Sequence, residues 1–300
     1  MLHSIFHSFT VKILYQMKKI FIMAVAAMMA TMNVSAQETV TPYFTVDQLP
    51  DLIKCLPAPP SFDSPEFAND MMRYSWGKQQ RTDPVRAEIA KGDAIWSYEA
   101  LFHQFAVPFG LEVTKEGTPE IWKLLETALA TTDAMRVKPK AHYLRQRPFE
   151  RFDDAMLTGE EDELRGEGSY PSGHTMRGWT CALLMAEIAP MQADTIFARG
   201  WMYGESRVIA GAHWQSDVDA SRVAASIGYC ALQGSDAFRE QMKKAQAEYL
   251  EKTGQSTGIQ SATIIDLNAP QARTYRIDGV PATDSTKGIV IEGQQKTARR

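Results

Sequence analysis

The sequence predicts an all-α body, a bundle of eight or nine helices, with a small β-type appendage at its C-terminal end. Long stretches repeat apolar residues at helical spacing, two of them behind Ser/Thr-Pro-Glu starts. No period-two alternation and no internal repeat appears before about residue 260. Past that point short β-branched runs take over. At 44% hydrophobic and 23% charged, the 300 residues have the mixture from which a globular chain builds one sizeable core.

The first 36 residues stand apart. Met17-Lys18-Lys19 precedes an apolar run over Ile20–Met32, and Val34-Ser35-Ala36 closes it. Positive start, short apolar stretch and small-x-small exit describe a signal peptide cleaved after Ala36. The run of about thirteen residues falls short of the roughly 20 that cross a bilayer; retention as an anchor is the alternative. Residues 1–16 read as an upstream extension of this leader. Cleavage removes Lys12, Lys18 and Lys19 and no acid, taking the formal charge from -4 to -7. An acidic chain excludes a broad nucleic-acid surface but leaves room for a small cationic pocket.

Residues 37–62 are punctuated by proline, through Pro57-Ala58-Pro59-Pro60, and read as an irregular arm with a short helix at Val46–Ile53. The helical domain is expected over residues 63–255. Ser64-Pro65-Glu66 opens a helix that Ala68–Gln79 continues, and Pro84–Ala100 is a second. Pro119–Ala130 is a third, with Thr118 as its cap. Lys138–Arg147 follows and stops at Pro148, which lacks an amide and restricts its predecessor. A polar loop from Asp153 to Ser169 carries seven acids. Ser172 then caps a long apolar helix running to Ile188, with further helices at Gln192–Ala210, Ser216–Gln233 and Ala237–Leu250. Three cysteines, Cys55, Cys181 and Cys230, make no disulfide framework, and the last two sit in apolar helical stretches as core candidates.

Three segments carry candidate chemistry. In Ser206-Arg207…Gly211-Ala212-His213…Asp217, the last two are four apart, so a helix puts them on one face. There a carboxylate fixes the imidazole tautomer and frees the other nitrogen as a nucleophile. The bland alternative is a surface His–Asp pair. Arg207 favours chemistry, since a guanidinium grips two phosphate oxygens. In Gly168-Ser169-Tyr170-Pro171-Ser172-Gly173-His174, a capped helix start offers amides to an anion, and His174 faces it as a proton donor. An ordinary histidine after a serine cap is the competing reading. In Lys140…Arg147-Pro148 the two cations stand two helical turns apart and share a face, either toward a cleft or toward solvent; Arg145 and His142 need not face it. Together the segments supply cations for the non-bridging oxygens, an in-line nucleophile and an acid for the leaving oxygen. Metal ligation competes for the histidines, but neither His174 nor His213 lies in a recognised zinc spacing.

These segments, 22 and 31 residues apart, resemble the tripartite signature of the type 2 phosphatidic-acid-phosphatase and vanadium-haloperoxidase superfamily. Gly168–His174, Gly204-Glu205-Ser206-Arg207 and His213–Asp219 are most similar to the bacterial class A non-specific acid phosphatases, over roughly Asp63–Tyr249. The resemblance implies a helical, metal-independent, cofactor-free enzyme of the periplasm, usually a homo-oligomer, that hydrolyses small phosphomonoesters such as nucleotides, sugar phosphates and aryl phosphates, with possible transfer to alcohols. It implies His213 as nucleophile, Asp217 as its orienter and His174 as acid. Lys140, Arg147, Ser172, Gly173 and Arg207 then hold the phosphoryl oxygens. A vanadate-dependent haloperoxidase and a non-catalytic phosphate-binding protein are the alternatives. The acidic loop before Pro171 departs from the family's pattern, as does the tail over residues 260–300, which resembles short C-terminal sorting repeats and equally suits a covering hairpin.

Overall fold

A computed structural model describes residues 40–254 and three strand segments beyond them; the leader expected over residues 1–36 lies outside the described residues. The arm carries a 3-10 turn at Val46–Gln48 and a short helix α1 (Leu52–Cys55), where one helix was expected. Pro50 divides them, because it has no amide and holds Leu49 extended. Helix α2 (Phe67–Gln80) follows. The expected Pro84–Ala100 helix is two, α3 (Pro84–Gly92) and α4 (Tyr98–Phe109), with Ser97 capping the Ala100 amide at 3.1 Å. The break falls where Asp93 turns inward to Arg199 and to the Ser206 hydroxyl, 2.6 Å away.

Helix α5 (Pro119–Asp133) begins where expected but is capped differently. The Thr118 hydroxyl bonds within Thr114–Thr118, and the buried Glu248 carboxylate takes the Ile121 amide at 2.8 Å. The expected Lys138–Arg147 helix ends early, as α6 (Val137–Tyr143). Leu144 turns left-handed at φ 44°, and Arg147 is extended at φ -77°, ψ 158° before α7 (Pro148–Phe152). The clash of the proline ring with a helical predecessor is the cause. A short α8 (Glu161–Leu164) interrupts the acidic loop. Four long helices complete the body: α9 (Gly173–Ile188), α10 (Ala193–Ile209), α11 (Gln215–Leu232) and α12 (Asp236–Thr253).

Helix α9 is the central post, packed against α5, α10 and α11. The main core gathers Phe102, Phe105 and Phe109 of α4, Leu124, Leu125 and Leu129 of α5, Leu184 and Met185 of α9, and Phe238 and Tyr249 of α12. Each such side chain withdrawn from water contributes roughly 1.5–3 kcal/mol. A second, aromatic cluster of Phe67, Tyr74 and Trp214 clamps α2 against the start of α11. Cys181 lies in the main core, whereas Cys230, expected there too, is exposed. Segments β1 (Thr274–Arg276), β2 (Gly288–Glu292) and β3 (Gln295–Arg299) pair antiparallel in the order β1-β2-β3. Most of the appendage expected over residues 260–300 lies outside the described residues. Among the described residues no helix is long and apolar enough to cross a membrane.

Candidate active site

The site is built from three places in the chain, locked by backbone contacts. His213 is not on a helix with Asp217, as its spacing suggested; it sits in the turn between α10 and α11. Gly211 makes that turn at φ 79°, a left-handed geometry that a β-carbon would strain. Asp217 is the third residue of α11, and its carboxylate accepts the Trp214 amide at 2.8 Å. Arg147, at the start of α7, bonds the Ala212 carbonyl with Nη1 at 3.0 Å, and Phe149 N bonds the Gly211 carbonyl at 3.3 Å. Ser172 caps α9 by accepting the Thr175 amide at 3.3 Å, as expected, while its own amide bonds the Ser221 hydroxyl of α11 at 2.7 Å.

His213 is buried, and its two nitrogens have different neighbours. Nε2 lies 3.0 Å from Arg147 Nη1. A guanidinium only donates, so Nε2 must accept, and the proton therefore resides on Nδ1. Nδ1 faces the Ser169 hydroxyl at 3.3 Å and Asp217 Oδ2 at 3.5 Å. Ser169 Oγ in turn donates to Asp217 Oδ2 in a short bond. The carboxylate thus reaches the ring through a hydroxyl as well as directly. It is also held by Arg145 Nη1 at 2.6 Å, and Arg145 is balanced by buried Asp70 at 2.8 Å.

Lys140 and Arg147 meet, though not as neighbours on one helix. Lys140 Nζ donates to the Gly168 carbonyl at 2.5 Å, and Arg147 Nη2 approaches the same oxygen at 3.5 Å. Gly168 allows this approach, since a β-carbon there would stand 2.4 Å from the Lys140 carbonyl oxygen. Arg207 is completely buried. Its Nη2 bonds Glu160 Oε2 at 3.2 Å, whereas Nε and Nη1 have no hydrogen-bond partner among the described residues. Two unpaired donors on a buried guanidinium cost several kcal/mol unless an anion takes them. At the first turn of α9, the amides of Gly173 and His174 have no helical carbonyl before them. His174 Nε2 bonds the Ala94 carbonyl at 2.9 Å, so it carries the proton there and leaves Nδ1 to gain another.

Comparison with known proteins settles what this arrangement belongs to. A family model described as the PAP2 superfamily matches residues 121–234, which contain every candidate site residue. The non-specific acid phosphatase of Providencia stuartii is 39% identical over 209 residues, 69% of this chain and 84% of its own. The chain belongs to the PAP2 superfamily, among the class A non-specific acid phosphatases. The non-specific acid phosphatase of Salmonella typhimurium is 36% identical, covering 73% of this chain and 88% of its own. The acid phosphatase of Zymomonas mobilis is 36% identical, covering 67% and 76% respectively.

The electrostatics of this superfamily member follow from packing cations into a buried site. Burial, with Arg147 and Arg136 close by, lowers the Lys140 ammonium to about 7. Burial, with Arg207 beside it, lowers Arg147 to about 10, still charged at neutral pH. Burial and the charges of Arg147, Lys140 and Arg207 hold His213 well below the usual histidine range. His174 is likewise depressed by burial and by Arg207. Both rings are therefore neutral at neutral pH. Among the described residues no group of three His, Cys, Asp or Glu side chains is placed to hold a metal ion. Sequence reasoning missed Arg145, Ser169 and Asp70. Ser169 and Arg145 each lie inside a recognised segment, so position was their signal. Asp70 had none, because its role exists only once α2 packs on α11.

Proposed function

We propose that this chain is an acid phosphatase that hydrolyses phosphate monoesters through a covalent phosphohistidine. The observation that carries the reading is Arg207, a buried cation with two unpartnered donors in the same site as an imidazole whose Nε2 is unprotonated. The phosphoryl dianion enters among Lys140, Arg147 and Arg207, with the Ser172 hydroxyl and the first amides of α9 completing the cage. Charge spreads over the non-bridging oxygens in the transition state, and a preorganised cage strengthens as it does so. His213 Nε2 attacks phosphorus in line as the ester P–O bond breaks. Asp217, directly and through Ser169, stabilises the positive ring that results. His174 Nδ1 delivers a proton to the leaving oxygen. Water then attacks the phosphohistidine and returns a proton to His174, the N–P bond breaks, and phosphate leaves.

The dianion also explains how a ring that is neutral beforehand acts as an acid. Its negative charge cancels the cations that depress His174, raising proton affinity when substrate is bound. No step needs a metal ion. The relatives named above give the haloperoxidase alternative no support. Export to the periplasm rests on the leader-like segment and the family resemblance; the homo-oligomer rests on that resemblance alone.

The decisive experiment is a denaturing quench at alkaline pH during turnover, where the acid-labile N–P bond survives, followed by mass spectrometry of the peptide bearing residue 213. The wild-type chain should carry one phosphoryl group on His213 and should retain turnover after exhaustive chelation. His213→Ala should carry none and lose at least about a thousandfold in kcat. A phosphoryl adduct that persists in His213→Ala would overturn the assignment.

A further inference from the structure

On the leaving-group side of the cage lies an open cleft of about 470 Å³, lined by Lys91, Ala94, Trp96, Thr158, Glu160 and Glu163 among others. Two contacts tie it to His174: the Ala94 carbonyl takes His174 Nε2 at 2.9 Å, and the Trp96 ring sits edge-on 4.6 Å from the imidazole. In-line attack from His213 sends the ester oxygen toward His174, so the departing alcohol must occupy this cleft. The rim facing it is acidic. Glu160 is held by the Thr158 hydroxyl at 2.5 Å and by Arg207 at 3.2 Å. Glu163 is exposed and has no ion pair among the described residues.

Of the nearby cations Arg207 pairs with Glu160, and none pairs with Glu163 among the described residues. Lys91 is paired with Glu88 at 2.6 Å. Arg136 and Arg177 are not among the cleft-lining groups and share Asp133, at 2.8 and 3.1 Å; Arg136 abuts Gly173, and Arg177 covers the Trp96 ring at 3.3 Å. Arg207 faces the cage, where the phosphoryl group takes its free donors. Resting on the phosphatase reading above, we propose that Glu160 and Glu163 are specificity-determining residues that select phosphomonoesters of neutral alcohols. Substrates with a second anion next to the scissile group, such as phosphocarboxylates and nucleoside di- and triphosphates, are disfavoured. The carboxylates repel that second charge where the cleft leaves it no partner.

The test compares glycerol 3-phosphate with 3-phosphoglycerate, two substrates of similar size that differ by a carboxylate in the leaving group. Measured at about pH 6 and low ionic strength, wild-type kcat/KM should favour glycerol 3-phosphate by about tenfold or more. Glu160→Gln and Glu163→Gln should each narrow that ratio by about three- to tenfold, and added salt should narrow it in the wild type. The ratio isolates the leaving group, since freeing Arg207 in Glu160→Gln alters the affinity for both substrates alike. Should Glu160→Gln fail to fold, exposed Glu163 and the salt dependence decide. A wild-type ratio near one, or a ratio unmoved by the variants and by salt, overturns the proposal and leaves phosphatase activity standing. Turnover of neither substrate overturns both.

Discussion

Lys140 Nζ bonds a carbonyl oxygen and among the described residues has no carboxylate close enough to pair with it, so burial and the neighbouring Arg147 and Arg136 bring its pKa down to about 7. Only the protonated form neutralises an oxygen of the bound anion. Affinity for a dianion should therefore be full below about 7 and fall as pH rises through it, by up to about tenfold per unit. Sulfate makes the clean probe because it is a dianion throughout. Its inhibition constant should rise steeply between about pH 7 and 9 in the wild type, and far less in Lys140→Arg, whose guanidinium stays charged. A flat wild-type profile would remove Lys140 from the cage.

Between elements, spacing is set by what glycine permits. Gly178 on α9 faces Tyr203 on α10, and a β-carbon at 178 would stand 2.4 Å from the Tyr203 ring. Tyr203 is buried and cannot swing away. Alanine at 178 gains about 1 kcal/mol of helix propensity but overpacks the contact by about 1–3 kcal/mol. Overpacking should win, lowering the midpoint of chemical denaturation. The same helices carry His174 and Arg207, so kcat/KM should fall with it; an unchanged midpoint would mean that the two helices separate easily. The long periodic helices were legible in the sequence because burial of one face writes the period directly. The breaks were not. Asp93 interrupts a good helical pattern to reach Arg199 and Ser206, which lie more than a hundred residues away. The His213–Asp217 spacing suggested a shared helix, yet the pair meets through a turn and a capping carboxylate. The expected residues thus converge, but by a different local route, since chemistry constrains which groups meet more tightly than how the backbone brings them there.

For the molecule as a whole, placing three cations and two histidines in one buried pocket has a stability consequence. His174 and His213 titrate near 6.5 when unfolded and well below that when folded. Between those limits the unfolded chain binds more protons, so stability is full above about 6.5 and is lost as pH falls toward the folded pKa values. Each histidine contributes at most about 1.4 kcal/mol per pH unit across that window. Without added anion, unfolding free energy should therefore drop from about pH 7 to 5 more steeply in the wild type than in a His174→Asn, His213→Asn double variant. Surface carboxylates, common to both chains, cancel in the comparison. Sulfate should flatten the wild-type slope, because an anion among Lys140, Arg147 and Arg207 lets the rings accept protons in the folded state. Parallel slopes in the two chains would mean that the histidines protonate in the folded protein as readily as in the unfolded one. In that case the pocket is wetter than the burial of Arg207 and His213 indicates.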